Sequence, residues 1–286
     1  MTIIEEIIKS YNPKTNDEAK YVLRELLQQI VLIGLSRSDF FKYASFYGGT
    51  ALRIFYGLNR YSEDLDFSLN SNSKDELFSF TPFIEKIKEV ALSYDLNLEN
   101  SQKDKKIKTN IESAFAKINT YQTFLSINLN KTILGLIHKD EVIKVKFKID
   151  CNPALGFNTE SKWLDIPEFA PVTVLDLPSL FAGKIHAVLC RKYKNNVKGR
   201  DYYDFLFYIQ RNVKPNLEYL KNKLIDSGKI TPNTNFNIYY LKEMLKERIK
   251  NVNFIDVKND ASKFLLKKED LSFYSKDLFF QMIDKL

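Results

Sequence analysis

From Asp17 to Ser36, in DEAKYVLRELLQQIVLIGLS, apolar residues recur at helical spacing, with Asn16-Asp17 as the expected cap. A short helix is expected over 37–44. The pattern then tightens: FYGG (46–49) reads as strand, a helix is expected from Thr50, Gly57-Leu58-Asn59 as a turn, and DLDFSL (64–69) as a strand. Residues 82–95 return to the helical period. LNLEN (96–100), TFLSINL (123–129) and VIKVKFKID (142–150) read as further strands. Helices mixed with alternating strands predict an α/β (α+β) fold, a mixed sheet flanked by helices.

After Pro153 the pattern changes. Pro167, Pro171 and Pro178 punctuate loops and one short strand, PVTVLD (171–176). Helical spans are expected at 179–194, 200–211, 216–226, 237–250, 258–266 and 274–285. The chain is therefore expected to hold two domains, a mixed one over 1–160 and a mainly helical one over 161–286.

Strand alternation gives DLDFSL its chemistry. Asp64, Asp66 and Ser68 share one face, while Leu65, Phe67 and Leu69 take the other. Carboxylates on residues whose α-carbons stand roughly 6.5 Å apart can converge on one or two divalent cations. Oxygen-only donors favour Mg²⁺, or Mn²⁺ in its place. In VIKVKFKID, Lys144, Lys146, Lys148 and Asp150 form the polar face. If the two strands are neighbours, Asp150 becomes a third metal carboxylate and Lys148 a charge partner for phosphates. The solvated strand end is the alternative reading of any Asp-x-Asp pair.

Gly48-Gly49-Thr50 stands just upstream. Glycines before a helix let the backbone approach a phosphate, and the helix N-terminus offers N–H donors. An ordinary strand-to-helix turn would look the same. The spacing matches neither the Walker A nor the Rossmann pattern.

Charge and cysteine usage narrow the class. The net charge of +7, from 43 Lys+Arg against 36 Asp+Glu, suits a polyanionic partner without requiring one. Cys151, Cys190, His138 and His186 have no metal-ligand spacing, which argues against a zinc site or a disulfide framework. MTIIEEIIKSYNPK carries acids where a secretory signal needs positive charge, and no apolar run of about 20 residues could span a bilayer. A reduced, cytoplasmic protein with no membrane partner is expected.

The second half carries the most one-signed stretch. Between Asp176 and Asp201 there is no acid, while Lys184, Arg191, Lys192, Lys194, Lys198 and Arg200 are all cationic. This suits a nucleoside triphosphate or an RNA backbone, or is a solvated basic loop. Lys184 and Arg191 are two helical turns apart, and His186 and Cys190 read as packing. Asp201 and Asp204 share a helix face; alone they read as a cap acid and an internal salt bridge.

Taken together, these residues resemble a family. Gly49-Thr50, thirteen residues, then Asp64-x-Asp66 is similar to the G-[S/T]-x(n)-D-x-D signature of the DNA polymerase-β-like nucleotidyltransferases. GGTAL followed by R-Y-S-E-DLDF resembles, more narrowly, the AbiEii/MenT-type nucleotidyltransferase toxins. Lys148-Ile149-Asp150 fits that group's K-x-[D/E] motif, Thr173 to Lys184 and Ala187 its third motif, and Gly199-Arg200-Asp201-Tyr202-Tyr203-Asp204 its R-D-x-Y-D helix. One departure stands out: Gly183 occupies the position where the third motif usually has an acid.

The resemblance implies a nucleotidyltransferase domain completed by the helical one, with NTP as substrate and a metal on Asp64, Asp66 and Asp150. Gly48, Gly49, Thr50, Lys148, Arg200 and Asp201 would bind nucleotide. Lys184 would contact its phosphates and Asp204 would hold that lysine or the substrate. An NMP would pass to an acceptor hydroxyl, the 3′ end of tRNA in such families, within a toxin–antitoxin or abortive-infection system with a cognate antitoxin. Rival readings are transfer to a protein or small molecule, a nucleotide- or antitoxin-binding module without turnover, and a nuclease. The glycine-threonine element argues against the last, since a nuclease needs no triphosphate cradle.

Overall fold

The computed structural model describes residues 2–71, 78–102, 111–119, 142–191, 197–266 and 271–286. The strand expected at 123–129 lies outside them, as do His138, Lys192 and Lys194. Two compact units divide the chain. The first holds Met1–Ala51, Ser62–Pro153 and Ser161–Val174; the second holds Leu52–Tyr61, Ala154–Glu160 and Leu175–Leu286. The division is thus not a single cut at 160. The chain leaves the first unit inside a helix at 51 and returns at 62.

The sheet of the first unit runs in the order β3-β4-β5-β2-β1-β7-β6. Its strands are β1 (Ala44–Tyr47), β2 (Asp64–Leu69), β3 (Glu99–Gln102), β4 (Ile111–Asn119), β5 (Val142–Asp150), β6 (Thr159–Leu164) and β7 (Ala170–Leu175). It is mixed: β2 runs antiparallel to β1 and parallel to β5, which is antiparallel to β4. Leu65, Phe67, Val145, Phe147 and Ile149 are buried on one side, as alternation requires. Phe67 meets Phe40 and Phe46 at ring-centroid distances of 4.9 and 5.3 Å, and Phe147 meets Phe80 at 4.9 Å.

Helices α1 (Ile3–Ser10), α2 (Asn16–Ser36) and α4 (Thr81–Ser93) belong to this unit. Thr15, not Asn16, caps α2: its hydroxyl accepts from the Glu18 N–H at 3.2 Å. A Cβ at Gly34 would lie 2.6 Å from the Ile87 backbone, so only glycine lets α2 and α4 approach this closely. The helix expected over 37–44 is only a 3-10 turn, Phe40–Lys42, because Asp39 takes a left-handed φ of 62°.

The second unit is helical: α5 (Leu177–Cys190), α6 (Gly199–Gln210), α7 (Leu217–Asp226), α8 (Ile238–Lys250), α9 (Phe254–Ala261) and α10 (Lys276–Asp284). Asp176 caps α5 by accepting from the Ser179 N–H, and Arg248 donates to the Val188 and Arg191 carbonyls at its far end. Helix α6 is the centre, with every residue from Asp201 to Ile209 buried. Gly199 admits α9, whose Val257 carbonyl would stand 2.0 Å from a Cβ there. Segment 52–61 is tied in by Tyr56 donating to Glu160 (2.5 Å) and Tyr61 N–H donating to the Phe264 carbonyl (2.7 Å).

Candidate active site

In the first unit, β2 and β5 lie side by side. Asp64 pairs with Lys146, Asp66 with Lys148 and Ser68 with Asp150. In-register residues of parallel strands share a face, so both acids and the lysines stand on the polar side. The Lys148 ammonium donates to Asp64 Oδ2 and lies 3.8 Å from Asp66 Oδ1, placing a cation between the two carboxylates. This offsets their mutual repulsion.

Asp150 ends β5. It sits across from Ser68, roughly 7 Å further along the sheet than Asp66, and its Oδ1 accepts from the Asn152 N–H at 3.1 Å. Among the described residues no three His, Cys, Asp or Glu side chains form a group able to hold a metal. Register thus sets Asp150 one side-chain repeat beyond Asp66 on the neighbouring strand.

The glycine-threonine element begins α3 (Gly48–Tyr56) two residues earlier than expected, directly after β1. Gly48 has φ +89°, and a Cβ there would lie 3.0 Å from Asp66 Oδ2. Thr50 lies in the same first turn of α3. It is buried, and its hydroxyl lies 2.8 Å from Ser62 Oγ and 2.5 Å from the Asp64 carbonyl. Its side chain therefore ties α3 to the strand carrying the acids. Gly49 follows Gly48 in the first turn of α3.

In the second unit Lys184, Asp201 and Asp204 meet. The Lys184 ammonium is 2.8 Å from Asp201 Oδ1 and 2.8 Å from Asp204 Oδ2. Arg191 donates to Asp201 Oδ2 at 2.5 Å, and Arg60 grips Asp204 through both Nε and Nη2 at 2.6 Å. Burial works to raise the Asp204 pKa, but Arg60 and then Lys184 outweigh it and hold the carboxyl at about 2. Burial works to lower that of Lys184, but the two aspartates hold it above its usual value. Both stay charged.

Asp201 is no helix cap, since Lys198 occupies that position and the carboxylate points at cations. Lys184 and Arg191 do not share a continuous helix, because α5 ends at Cys190, yet Asp201 joins them. The Arg200 N–H donates to Asp260 Oδ2 at 3.4 Å, and its guanidinium covers the Phe264 ring at 4.0 Å. A Cβ at Gly183 would meet nothing within 4 Å, so there is room for a side chain there. His186 and Cys190 lie 3.1 and 3.6 Å from Ser227 Oγ, and burial lowers the histidine pKa to about 4. Sequence reasoning missed Arg60. Its signal was the arginine of R-Y-S-E-DLDF, which belongs to the motif but has no role legible from spacing.

A glycine-led helix beside an Asp-x-Asp strand on a mixed sheet defines a nucleotidyltransferase class of fold. The sequence matches the family described as nucleotidyl transferase AbiEii toxin, type IV toxin–antitoxin system, over residues 30–280, and the chain belongs to that family. It is a nucleotidyltransferase whose family implies a nucleotide substrate and an antitoxin counterpart. Its fold is similar to that of MenT4, a nucleotidyltransferase toxin from Mycobacterium tuberculosis H37Rv, with TM-score 0.58 and 14% identity, covering 99% of this chain and 90% of that one. JHP933 from Helicobacter pylori aligns with TM-score 0.49 and 16% identity, over 92% of this chain and 88% of that one. A comparison with curated proteins found no match. Among the described residues no helix is long and apolar enough to cross a membrane.

Proposed function

We propose that the protein transfers an NMP from an NTP to a hydroxyl of RNA, the 3′ end of tRNA, in a reaction dependent on Mg²⁺. The observation that carries this reading is the pairing of Asp64 and Asp66 on one sheet face, gathered by a lysine and backed by Gly48. These residues fit a hard divalent cation, since the donors are carboxylate oxygens and a cation already stands between them. Mg²⁺ on Asp64 and Asp66 would neutralise the triphosphate and polarise its α-phosphate.

The chain's own residues do the rest. The N–H groups at the start of α3 hold phosphate oxygens, with Gly48 keeping that approach open. Lys148 adds positive charge beside them. Lys184, kept protonated between Asp201 and Asp204, is the second phosphate contact. Asp150 assists in removing the proton of the acceptor hydroxyl, whose oxygen attacks the α-phosphate as pyrophosphate leaves. The net charge of +7 and Lys198 and Arg200 suit an RNA acceptor.

The test incubates the protein with total RNA, Mg²⁺ and each labelled nucleotide in turn, with Asp66→Ala and Lys184→Ala as controls. Label is expected in RNA and lost in both variants. Label in protein or small molecules instead would redirect the acceptor. No transfer with any nucleotide, or transfer that survives Asp66→Ala, would end the proposal.

A further inference from the structure

The motif arginine that spacing left without a role is among the most deeply placed charges of the second unit. Arg60 commits its fork to Asp204 and its Nη1 to the Tyr61 carbonyl at 2.8 Å. Asp204 in turn faces Lys184, Lys184 faces Asp201, and Asp201 faces Arg191. Charge alternates along this row. Its four inner members, Arg60, Asp204, Lys184 and Asp201, balance, and the half-exposed Arg191 adds one positive charge at the outer end.

Without Arg60, Lys184 would be the sole partner of Asp204 while still shared with Asp201, which only the half-exposed Arg191 answers besides. The inner group would turn net negative and repel an incoming triphosphate. An ammonium has three donors, and the two carboxylates face two of them, which leaves the third for a phosphate oxygen. That donor is useful to an anion only while Asp204 is answered from its other side.

We infer that Arg60 is a positioning residue for nucleotide binding: by saturating Asp204 it leaves Lys184 with charge and a hydrogen-bond donor to give to the triphosphate. This rests on the reading of Lys184 as a phosphate contact, and it deepens that reading with a residue touching neither substrate nor metal. A purely structural Arg60 would affect melting alone, whereas a charge-setting one affects nucleotide affinity in a way that a second charge change can undo.

The experiment measures binding of each labelled NTP, with Mg²⁺, to the full chain, to Arg60→Met and to the double variant Arg60→Met/Asp204→Asn. Arg60→Met still leaves Asp204 paired with Lys184, and it is expected to bind about tenfold more weakly. The double variant loses one charge of each sign, restores the balance and is expected to return to within about threefold of the parent. Arg60→Met binding like the parent, or the double variant staying as weak as Arg60→Met, overturns the inference while leaving the proposed function standing. If Arg60→Met does not fold, the double variant decides, because it lacks the fork yet keeps the balance: near-parent binding supports the inference and loss overturns it. A parent chain that binds no NTP fails at the proposed function itself, and the inference falls with it.

Discussion

The two charged groups of this protein are built in opposite ways. On β2 and β5 the side chains of Asp64, Asp66 and Lys148 are 39%, 33% and 28% exposed. In the helical unit those of Arg60, Asp201 and Asp204 are 4%, 3% and 0% exposed. Water still solvates the first group, so its members can exchange partners at small cost. The second has left water behind, and each member depends on its neighbour to remain charged. The difference teaches that chemistry and stability should separate on the sheet and be inseparable in the helices.

The largest effect expected tests the sheet side. Asp66→Asn should lower transfer by about a thousandfold or more while the melting midpoint barely moves, since a part-exposed carboxylate contributes about 0.5 kcal/mol or less. A labelling assay and a thermal melt on one preparation check both halves. A large melting shift would erase the contrast.

Asp204→Asn should instead lower stability as well, costing about 3–5 kcal/mol because Arg60 is left buried without its carboxylate. Urea unfolding measures it, and the Arg60→Met/Asp204→Asn pair should recover most of the loss. Next in size is Gly199→Ala, whose Cβ would meet the Val257 carbonyl at 2.0 Å; a cost of about 3 kcal/mol is expected as α6 and α9 separate. Urea midpoints of the two chains read it directly.

The pH dependence of stability sharpens the contrast further. The Asp204 carboxyl is held at about 2, below its ordinary 3.8. A depressed folded value means its contribution is complete above 3.8, where the unfolded chain is also ionised, and is lost as pH falls from there toward 2. The loss should be about 2 kcal/mol, and it should vanish in the double variant. Denaturation series between those two pH values would show whether this window exists.

Local pattern reached the sheet acids because a strand's period of two is set by neighbouring residues alone. DLDFSL and VIKVKFKID are β2 and β5, residue for residue as expected. Other elements were less legible. TESKWL (159–164) carries mostly polar, solvent-facing side chains at the sheet edge and showed no alternation, so β6 was not anticipated. IESAFAKIN (111–119) forms β4 where no strand is expected. The N-cap slipped from Asn16 to Thr15 because both residue types cap well and composition does not choose between them.

By itself, then, the sequence determined which side chains share a face, that glycines precede a helix just upstream of a strand of acids, and the family to which these motifs belong. Tertiary structure decided the rest. Where Asp150 stands relative to the acid pair was set by strand register, which pairs residues far apart in the chain, such as Ser68 with Asp150. Thr50 was turned inward by a hydrogen bond to the carbonyl of Asp64. Arg60 found Asp204 across 144 residues of chain. Such pairings leave no trace in local periodicity, because a charge buried within α6 selects its partner by proximity in the folded chain rather than along the sequence.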